Sequence, residues 1–181
     1  MSTDESFLKS CIGNVEDWPK TGIVFRDIAT LFANPKAVRI MIDSFLQRYR
    51  EQDISHIAAL DARGFLIGSI MAYEMDKPLI MLRKKGKLPG TVISHEYALE
   101  YGTDVMEMQV SALASGDRVL LMDDLIATGG TLLAGCELIR QVGAEVVEAA
   151  AIIDLVDLEG TGQLRSIGVN TFALCHYGNE E

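Results

Sequence analysis

The residues best suited to chemistry lie in one thirteen-residue segment, residues 119–131. An apolar run ends in two adjacent acids, Asp123 and Asp124, and a turn of small residues then leads into a predicted helix. Gly129 and Gly130 let the backbone approach an anion closely, and amides at a helix start point outward. Neighbouring carboxylates can accept hydrogen bonds from vicinal sugar hydroxyls and help to fix a divalent cation. The segment therefore predicts a phosphorylated-sugar site, although its Thr-Gly-Gly-Thr turn alone could simply connect a strand to a capped helix.

A second predicted anion site lies at residues 61–64, which follow a short apolar strand and enter a helix. Arg63 and the unpaired amides of the helix start would face an anion there. An ordinary turn with a surface arginine is the alternative interpretation.

A basic segment, residues 83–90, contains four of the chain's sixteen lysines and arginines within five positions. Such a run is usually a solvated loop. In a chain with a formal net charge of −10, however, an anionic ligand needs a local concentration of positive charge. The segment is therefore a candidate contact for such a ligand.

Periodicity predicts the elements that position these segments. Strands alternate with helices, which indicates an α/β fold with a mainly parallel central sheet flanked by helices. Ligands bind such sheets at the carboxyl ends of the strands. Two alternating segments around Gly102 predict a hairpin or flap. The predicted helices are 37–50, 64–75 and 131–142, and the predicted strands are 56–60, 78–82, 92–97, 105–110, 118–122, 146–155 and 171–175.

Composition indicates one domain over residues 1–181, since 49% of the chain is apolar and can form a sizeable core. No stretch resembles a signal peptide or is long enough to span a membrane, so a cytoplasmic protein is expected. The net charge disfavours nucleic acid as a partner. The cysteines at 11, 136 and 175 lie among apolar residues and are predicted to be free, buried thiols.

The whole segment 119–131 resembles, at every position, the phosphoribosyl pyrophosphate motif of type I phosphoribosyltransferases. The resemblance implies that family's fold, with an N-terminal hood at about residues 1–34, a core at about 35–181 and a mobile flap at about 90–110. It also implies a cis peptide between Asp61 and Ala62. The implied sugar-phosphate contacts are Asp123, Asp124, Ala127, Thr128, Gly129, Gly130 and Thr131. The implied pyrophosphate contacts are Asp61, Ala62, Arg63, Arg83, Lys84 and Lys87.

The segment 22–28 resembles the hood of the adenine-specific members of this family. By that resemblance Phe25 stacks on the purine, while the main chain of Val24 and Arg26 hydrogen-bonds its edge. A carbonyl and an amide side by side match the amine donor and ring acceptor of adenine, and mismatch the oxo edge of hypoxanthine. Phe25 as an ordinary core aromatic is the alternative.

The run 97–102, Tyr-Ala-Leu-Glu-Tyr-Gly, resembles the flap of the same adenine-specific members. The resemblance implies proton transfer at the purine N7 by Glu100, because attack through N9 builds positive charge on the ring. Tyr101 would close over the leaving group, and Leu125 would pack against the other face of the base. Glu100 and Arg63 are thus the implied catalytic residues.

Together these features imply transfer of the 5-phosphoribosyl group from phosphoribosyl pyrophosphate to N9 of adenine, giving AMP and pyrophosphate in purine salvage. Mg²⁺ is the implied cofactor, held mainly through the substrate with Asp123 and Asp124 nearby, and Arg83 would reach the site from the partner subunit of a homodimer. A sister transferase for hypoxanthine, guanine or orotate should lack the hood and flap segments. A ligand-sensing transcriptional regulator of this fold usually carries a DNA-binding appendage, for which neither length nor charge leaves room.

Overall fold

The computed structural model describes residues 3–98 and 102–178. Its helices and strands alternate along most of the chain, as the periodicity predicts. The helices are α1 (Thr3–Cys11), α2 (Ala29–Phe32), α3 (Pro35–Tyr49), α4 (Gly64–Met75), α5 (Gly130–Gln141) and α6 (Gly160–Ser166). The strands are β1 (Gly13–Glu16), β2 (Val24–Asp27), β3 (His56–Leu60), β4 (Leu79–Lys84), β5 (Val92–Ala98), β6 (Thr103–Gln109), β7 (Arg118–Ile126), β8 (Glu145–Leu155) and β9 (Thr171–Tyr177).

Seven strands form the central sheet in the order β5-β6-β4-β3-β7-β8-β9. Strands β4, β3, β7, β8 and β9 are parallel, while β6 pairs antiparallel with both β4 and β5. The fold is thus the predicted α/β type, with a mixed and mostly parallel sheet. From β3 the chain moves outward to β4 and later returns to β7 on the other side of β3, so the strand order changes direction between β3 and β7. A crevice at the carboxyl ends of these two strands is the expected ligand position.

Helices cover both faces of the sheet. The first four helices pack on one face, and α5 and α6 on the other, which gives two apolar clusters. Strand β7 lies between them and is buried at all but its first residue and Leu125. Its continuous apolar run is typical of a central parallel strand with helices on both sides. The strand is therefore a rigid base for the acids that it carries.

Strand β7 is longer than predicted. The sequence indicates an end at Met122, but pairing with β8 continues to Ile126, opposite Asp154. Asp123 and Asp124 are therefore strand residues and not part of a loop. Pairing with a neighbouring strand outweighs the low strand preference of aspartate.

The N-terminal part contains elements that periodicity does not predict. Helix α1 contacts α3 and β9, and the β1–β2 hairpin forms a separate two-stranded sheet. Within it, the rings of Trp18 and Phe25 meet edge to face with centroids 4.4 Å apart. Phe25 is only partly buried, and Val24 is 42% exposed.

An ion-paired cluster joins α3 to β8. Arg48 contacts both carboxylate oxygens of Glu148 at 2.7 Å, and the Tyr49 hydroxyl donates to the same carboxylate at 2.6 Å. The Arg48 guanidinium also lies 4.3 Å from the centroid of the Phe172 ring. The cluster fixes the helix to the sheet away from the predicted site.

All three cysteines are free, as predicted, and Cys136 and Cys175 are buried. Burial raises the pKa of each of these two thiols to about 12. Cys11 is only partly buried, so the prediction of a buried thiol is wrong at that position. Within residues 3–98 and 102–178, no helix has the length and apolar character needed to cross a membrane.

Candidate active site

A cavity of about 470 Å³ opens at the carboxyl ends of β3 and β7, where the strand order changes direction. It brings together residues from four separate parts of the chain. Its walls are formed by Asp61, Ala62, Arg63, Lys84, Tyr97, Asp123, Asp124, Leu125, Ala127, Thr128, Gly129, Gly130 and Thr131. All of the predicted sugar-phosphate contacts, and four of the six predicted pyrophosphate contacts, therefore line one cleft.

Residues 127–131, the turn after β7 together with the first two residues of α5, form one wall and are called the phosphate loop below. Gly129 has a φ of 85°, a conformation that favours glycine, and α5 begins at the next residue. The amide of Leu133 donates to the Gly129 carbonyl at 2.8 Å, so the first helical turn is formed. The amides ahead of it remain available to an anion in the cleft.

The acid pair lies beside this loop and is almost completely buried, with Asp123 8% and Asp124 7% exposed. Asp123 accepts a hydrogen bond from the Asp124 amide at 2.8 Å. Burial, followed by the charge of Asp124, raises the pKa of Asp123 well above its ordinary value. This part of the cleft is therefore suited to hydroxyl donors or to a cation, which would relieve the repulsion.

The loop 61–64, called the pyrophosphate loop below, lies against β7. The Asp61–Ala62 peptide is cis, as the resemblance implied. At Gly64 a Cβ atom would lie 2.9 Å from the carbonyl oxygen of Met122, so only glycine allows α4 to start this close to the acids. Arg63 is thereby brought to Asp124, with its Nε 2.6 Å from the carboxylate.

Three cations of the site each face a carboxylate. Besides Arg63, Arg83 contacts Asp61 at 3.0 Å and Lys84 contacts Asp104 at 3.0 Å. The bond to Lys84 lowers the pKa of Asp104. Arg83 does not line the cavity but adjoins it through Asp61 of the same chain. The approach from a partner subunit that the resemblance implies for Arg83 stays a prediction.

The basic loop, residues 85–90, follows β4 and is held from two sides. Arg83 donates to the carbonyl of Lys87 at 3.2 Å, and the amide of Gly86 donates to the buried carboxylate of Glu107 at 2.8 Å. The Lys87 side chain does not line the cavity. Glu107 was not singled out from the sequence, because only the pairing of β6 with β4 brings it to the loop.

The hood contacts the cleft through Phe25, whose ring centroid lies 5.4 Å from the Arg63 guanidinium carbon. Phe25 is therefore next to the cleft, and not simply a core aromatic. The Arg26 side chain extends away, donating to Asn14 at 2.8 Å and covering the Tyr177 ring at 4.1 Å. The role implied for Arg26 involves only its main chain, so this position does not conflict with it.

The flap strands β5 and β6 agree with the predicted hairpin, but its tip, residues 99–101, lies outside the described residues. The positions of Glu100 and Tyr101 are therefore not described. Tyr97, which was not predicted as a site residue, lines the cleft and donates to Asp104 at 3.4 Å. Burial, together with the Asp104 carboxylate, raises the pKa of Tyr97 to about 12. The alternation of apolar and polar residues in this strand could have indicated that the Tyr97 side chain lies on its inward face.

The acid pair is compatible with Mg²⁺ near the cleft, because hard cations prefer carboxylate oxygens. Within the described ranges, no group of three His, Cys, Asp or Glu side chains could hold a metal ion. Asp123 and Asp124 could therefore supply only part of a coordination shell. The remaining oxygens would have to come from a ligand or from water.

Comparisons with known proteins agree with this geometry. The model of the phosphoribosyl transferase domain family matches residues 27–165. The adenine phosphoribosyltransferase of Marinomonas sp. (strain MWYL1) is 55% identical over 180 residues, which cover 99% of this chain and 100% of that protein.

Solved structures give the same result. Adenine phosphoribosyltransferase from Rhodothermus marinus superposes with a TM-score of 0.90 at 39% identity, covering 97% of this chain and 99% of that one. The Trypanosoma brucei enzyme, solved with AMP, pyrophosphate and ribose-5-phosphate, gives a TM-score of 0.89 at 32% identity, covering 97% of this chain and 80% of that one. With the family model and the full-length relative, these matches show that the chain belongs to the adenine phosphoribosyltransferases of the type I phosphoribosyltransferase family.

Proposed function

We propose that this protein transfers the 5-phosphoribosyl group from phosphoribosyl pyrophosphate to N9 of adenine, with release of AMP and pyrophosphate. The observation that carries the proposal is the single cleft in which the phosphate loop, the acid pair, the pyrophosphate loop and Lys84 meet. The cleft therefore offers one wall that suits the ribose 5-phosphate and another that suits the pyrophosphate. The 55% identical relative, an adenine phosphoribosyltransferase, supports the choice of base.

In this proposal the phosphate loop binds the 5-phosphate through its amides and threonine hydroxyls. Asp123 and Asp124 accept hydrogen bonds from the ribose hydroxyls. Arg63 and Lys84 leave their carboxylate partners and bind the pyrophosphate, with Arg83 and Lys87 adding charge at the edge. The exchange is favourable because a diphosphate offers each cation a charge-assisted bond in a partly buried cleft.

The hood, about residues 1–34, belongs to the same single domain as the core. Its role in the proposal is to bind the base. Phe25 stacks on adenine, Leu125 packs against its other face, and the main chain of Val24 and Arg26 selects its edge. Leu125 already lines the cleft and Phe25 contacts Arg63. Main-chain recognition of the amine would reject an oxopurine, because buried polar groups would then lack partners.

In the transfer step, N9 attacks the anomeric carbon as its bond to pyrophosphate breaks. Arg63 and Lys84 stabilise the negative charge that develops on the leaving oxygen. Glu100 accepts the proton that the purine must lose, and Tyr101 helps to exclude water when the flap closes. Mg²⁺, held beside Asp123 and Asp124 and by the substrate, would supply charge neutralisation of the pyrophosphate.

We further propose a homodimer. Leu66 and Tyr73, seven residues apart on α4, are 48% and 83% exposed, and Met81 on β4 is 45% exposed. Exposed apolar side chains of this size favour an interface. Arg83 lies two residues beyond Met81, so a partner docked on this surface would reach the edge of the active site. Analytical ultracentrifugation tests the proposal. Wild type should sediment as a dimer, and Tyr73→Glu should dissociate into monomers at higher protein concentrations than wild type does.

The test of function is to supply the protein with Mg²⁺, phosphoribosyl pyrophosphate and one nucleobase at a time, and to follow nucleotide formation. AMP from adenine, with little product from hypoxanthine, guanine or orotate, is expected. Comparable formation of IMP or GMP would refute the adenine assignment. Glu100→Gln should lower kcat by roughly a hundredfold or more, and full activity of that variant would refute its role in proton transfer.

A further inference from the structure

The phosphate loop is supported from behind by the start of α6. Gly160 is buried there, and its amide donates to the carbonyl of Ala127 at 3.0 Å. The contact joins residues 33 positions apart, so a second segment of the chain sets the geometry of the loop.

The hydrogen bond fixes the direction of one peptide group. In a trans peptide the carbonyl and the following N–H point in opposite directions, and the Ala127–Thr128 peptide is trans. Because the Ala127 carbonyl points back to Gly160, the amide of Thr128 must point forward, toward the cleft that both residues line. This orientation is the one that a bound phosphate needs.

The packing leaves no space for a side chain at position 160. A Cβ there would overlap the carbonyl oxygen of Ala127 and lie 2.8 Å from the amide nitrogen of Gly129 and 3.0 Å from a methyl group of Ile126. Two of these three neighbours belong to the phosphate loop itself. A larger residue would therefore push the loop forward or rotate its peptide groups.

The first turn of α6 is itself fixed. The Thr161 hydroxyl donates to the buried Asp154 carboxylate at 2.8 Å, and Leu164 is fully buried in the core. Gly160 consequently cannot move back to accommodate an added atom without breaking these contacts. The loop lines an open cleft, which leaves space in front of it, so it is the loop that would have to move.

We infer that Gly160 is a positioning residue for 5-phosphate binding, acting through the Ala127 carbonyl and the Thr128 amide. The inference deepens the proposed function and rests on it, because it takes the phosphate loop as the site of the 5-phosphate. It assigns a role to a glycine that lies outside the loop and is not among the residues lining the cleft.

The experiment compares Gly160→Ala with Gly162→Ala. The two glycines lie in the same helix, but a Cβ at Gly162 would meet no atom within 4 Å. Binding of AMP, which carries the 5-phosphate, and of Mg-pyrophosphate, which does not, is measured by isothermal titration calorimetry. Gly160→Ala should weaken AMP binding on the order of tenfold to a hundredfold, the effect of one lost hydrogen bond to a charged group, and leave pyrophosphate binding within about twofold of wild type. Gly162→Ala should bind both ligands like wild type.

Equal losses for both ligands would assign Gly160 only a general structural role and overturn the inference. So would AMP binding by Gly160→Ala that matches Gly162→Ala. If Gly160→Ala does not fold, Thr161→Val is used instead, because loss of the hydrogen bond to Asp154 should loosen Gly160. This variant should bind AMP more weakly than wild type and bind Mg-pyrophosphate normally. Equal losses of affinity for the two ligands, or no loss for either, would also overturn the inference. Wild-type protein that makes no AMP would instead refute the proposed function, which separates the two failures.

Discussion

Asp123 is a buried carboxylate, and its raised pKa means that its negative charge destabilises the folded protein. For an acid whose pKa is higher in the folded than in the unfolded state, the free energy of unfolding is reduced at every pH above the unfolded pKa. This cost in stability is greatest above the folded pKa. It falls as the pH decreases and the group is protonated in both states. In the proposed function this cost is offset, because the charged carboxylate binds the ribose hydroxyls better than a neutral residue would.

We therefore expect Asp123→Asn to be more stable and less active than wild type. Asparagine keeps an acceptor for the Asp124 amide, but it removes the charge that binds the ribose hydroxyls in the proposed function. A loss of about 2 kcal/mol of transition-state binding corresponds to roughly thirtyfold in kcat/KM for phosphoribosyl pyrophosphate. Each 1 kcal/mol of added stability should raise Tm by about 2–4 °C. Calorimetry at several pH values should show the Tm difference shrinking toward acid pH, and a lower Tm at neutral pH would contradict this account.

Glu107 offers a second prediction at the level of single residues, because its buried carboxylate holds the Gly86 amide of the basic loop. Glu107→Ala should raise KM for pyrophosphate in the reverse reaction by about five- to tenfold, the effect of one lost hydrogen bond. KM for AMP should change by less than about twofold, because the phosphate loop is untouched. Glu107→Gln retains an acceptor and should restore most of the affinity. Equal effects on both KM values would show that Glu107 does not act through the basic loop.

Among the elements, α3 depends on the Arg48–Glu148–Tyr49 cluster for its attachment to β8. Burial alone would raise the pKa of Glu148, but the hydrogen bonds from Arg48 and Tyr49 lower it. A lowered carboxyl pKa contributes stability above the unfolded value, and this contribution is lost as the pH falls through the folded value. The attachment of α3 should therefore weaken in acid.

Arg48→Met is expected to lower the free energy of unfolding by about 2–3 kcal/mol at neutral pH, because it leaves a buried carboxylate without its cation. Arg39→Met, at an exposed position of the same helix, is the control and should stay within about 0.5 kcal/mol of wild type. Urea unfolding at pH 7 and in acid measures the difference, which should narrow in acid. A pH-independent difference would show that lost packing, and not the ion pair, is responsible.

Periodicity was sufficient to predict the type and position of the elements that have long apolar patterns. The bounds of β3 and α4 agree with those predicted, because a buried strand and an apolar helix separated by a polar turn leave little choice. Helix α6 and the hood strands are four to seven residues long, too short for a period to be recognised. Their existence depends on tertiary contacts.

The same distinction applies to the site. Asp61, Arg63 and the phosphate loop could be identified because each belongs to a contiguous motif. Glu107 and Gly160 could not, since each acts on a segment 21 or more positions away and has no motif of its own. Spatial neighbours of a loop are as important to its geometry as its own residues, but only the fold reveals them.

For the whole molecule, the formal net charge of −10 opposes the approach of a polyanionic substrate. We therefore expect EDTA to weaken binding of phosphoribosyl pyrophosphate by roughly tenfold or more, because the uncomplexed diphosphate carries more negative charge into an acidic cleft. Titration calorimetry with and without Mg²⁺ measures this effect. Adenine binding serves as the control and should change little, and equal affinity for the sugar diphosphate in EDTA would refute the expectation.

The pairing of Arg63, Arg83 and Lys84 with carboxylates has a consequence for selectivity. A small monovalent anion such as chloride offers one weak contact, which is too little to separate any of these pairs. A diphosphate can replace several partners at once, and its contacts reinforce one another. These internal pairs should therefore favour a ligand with several charges over a small monovalent anion in the competition for the three cations.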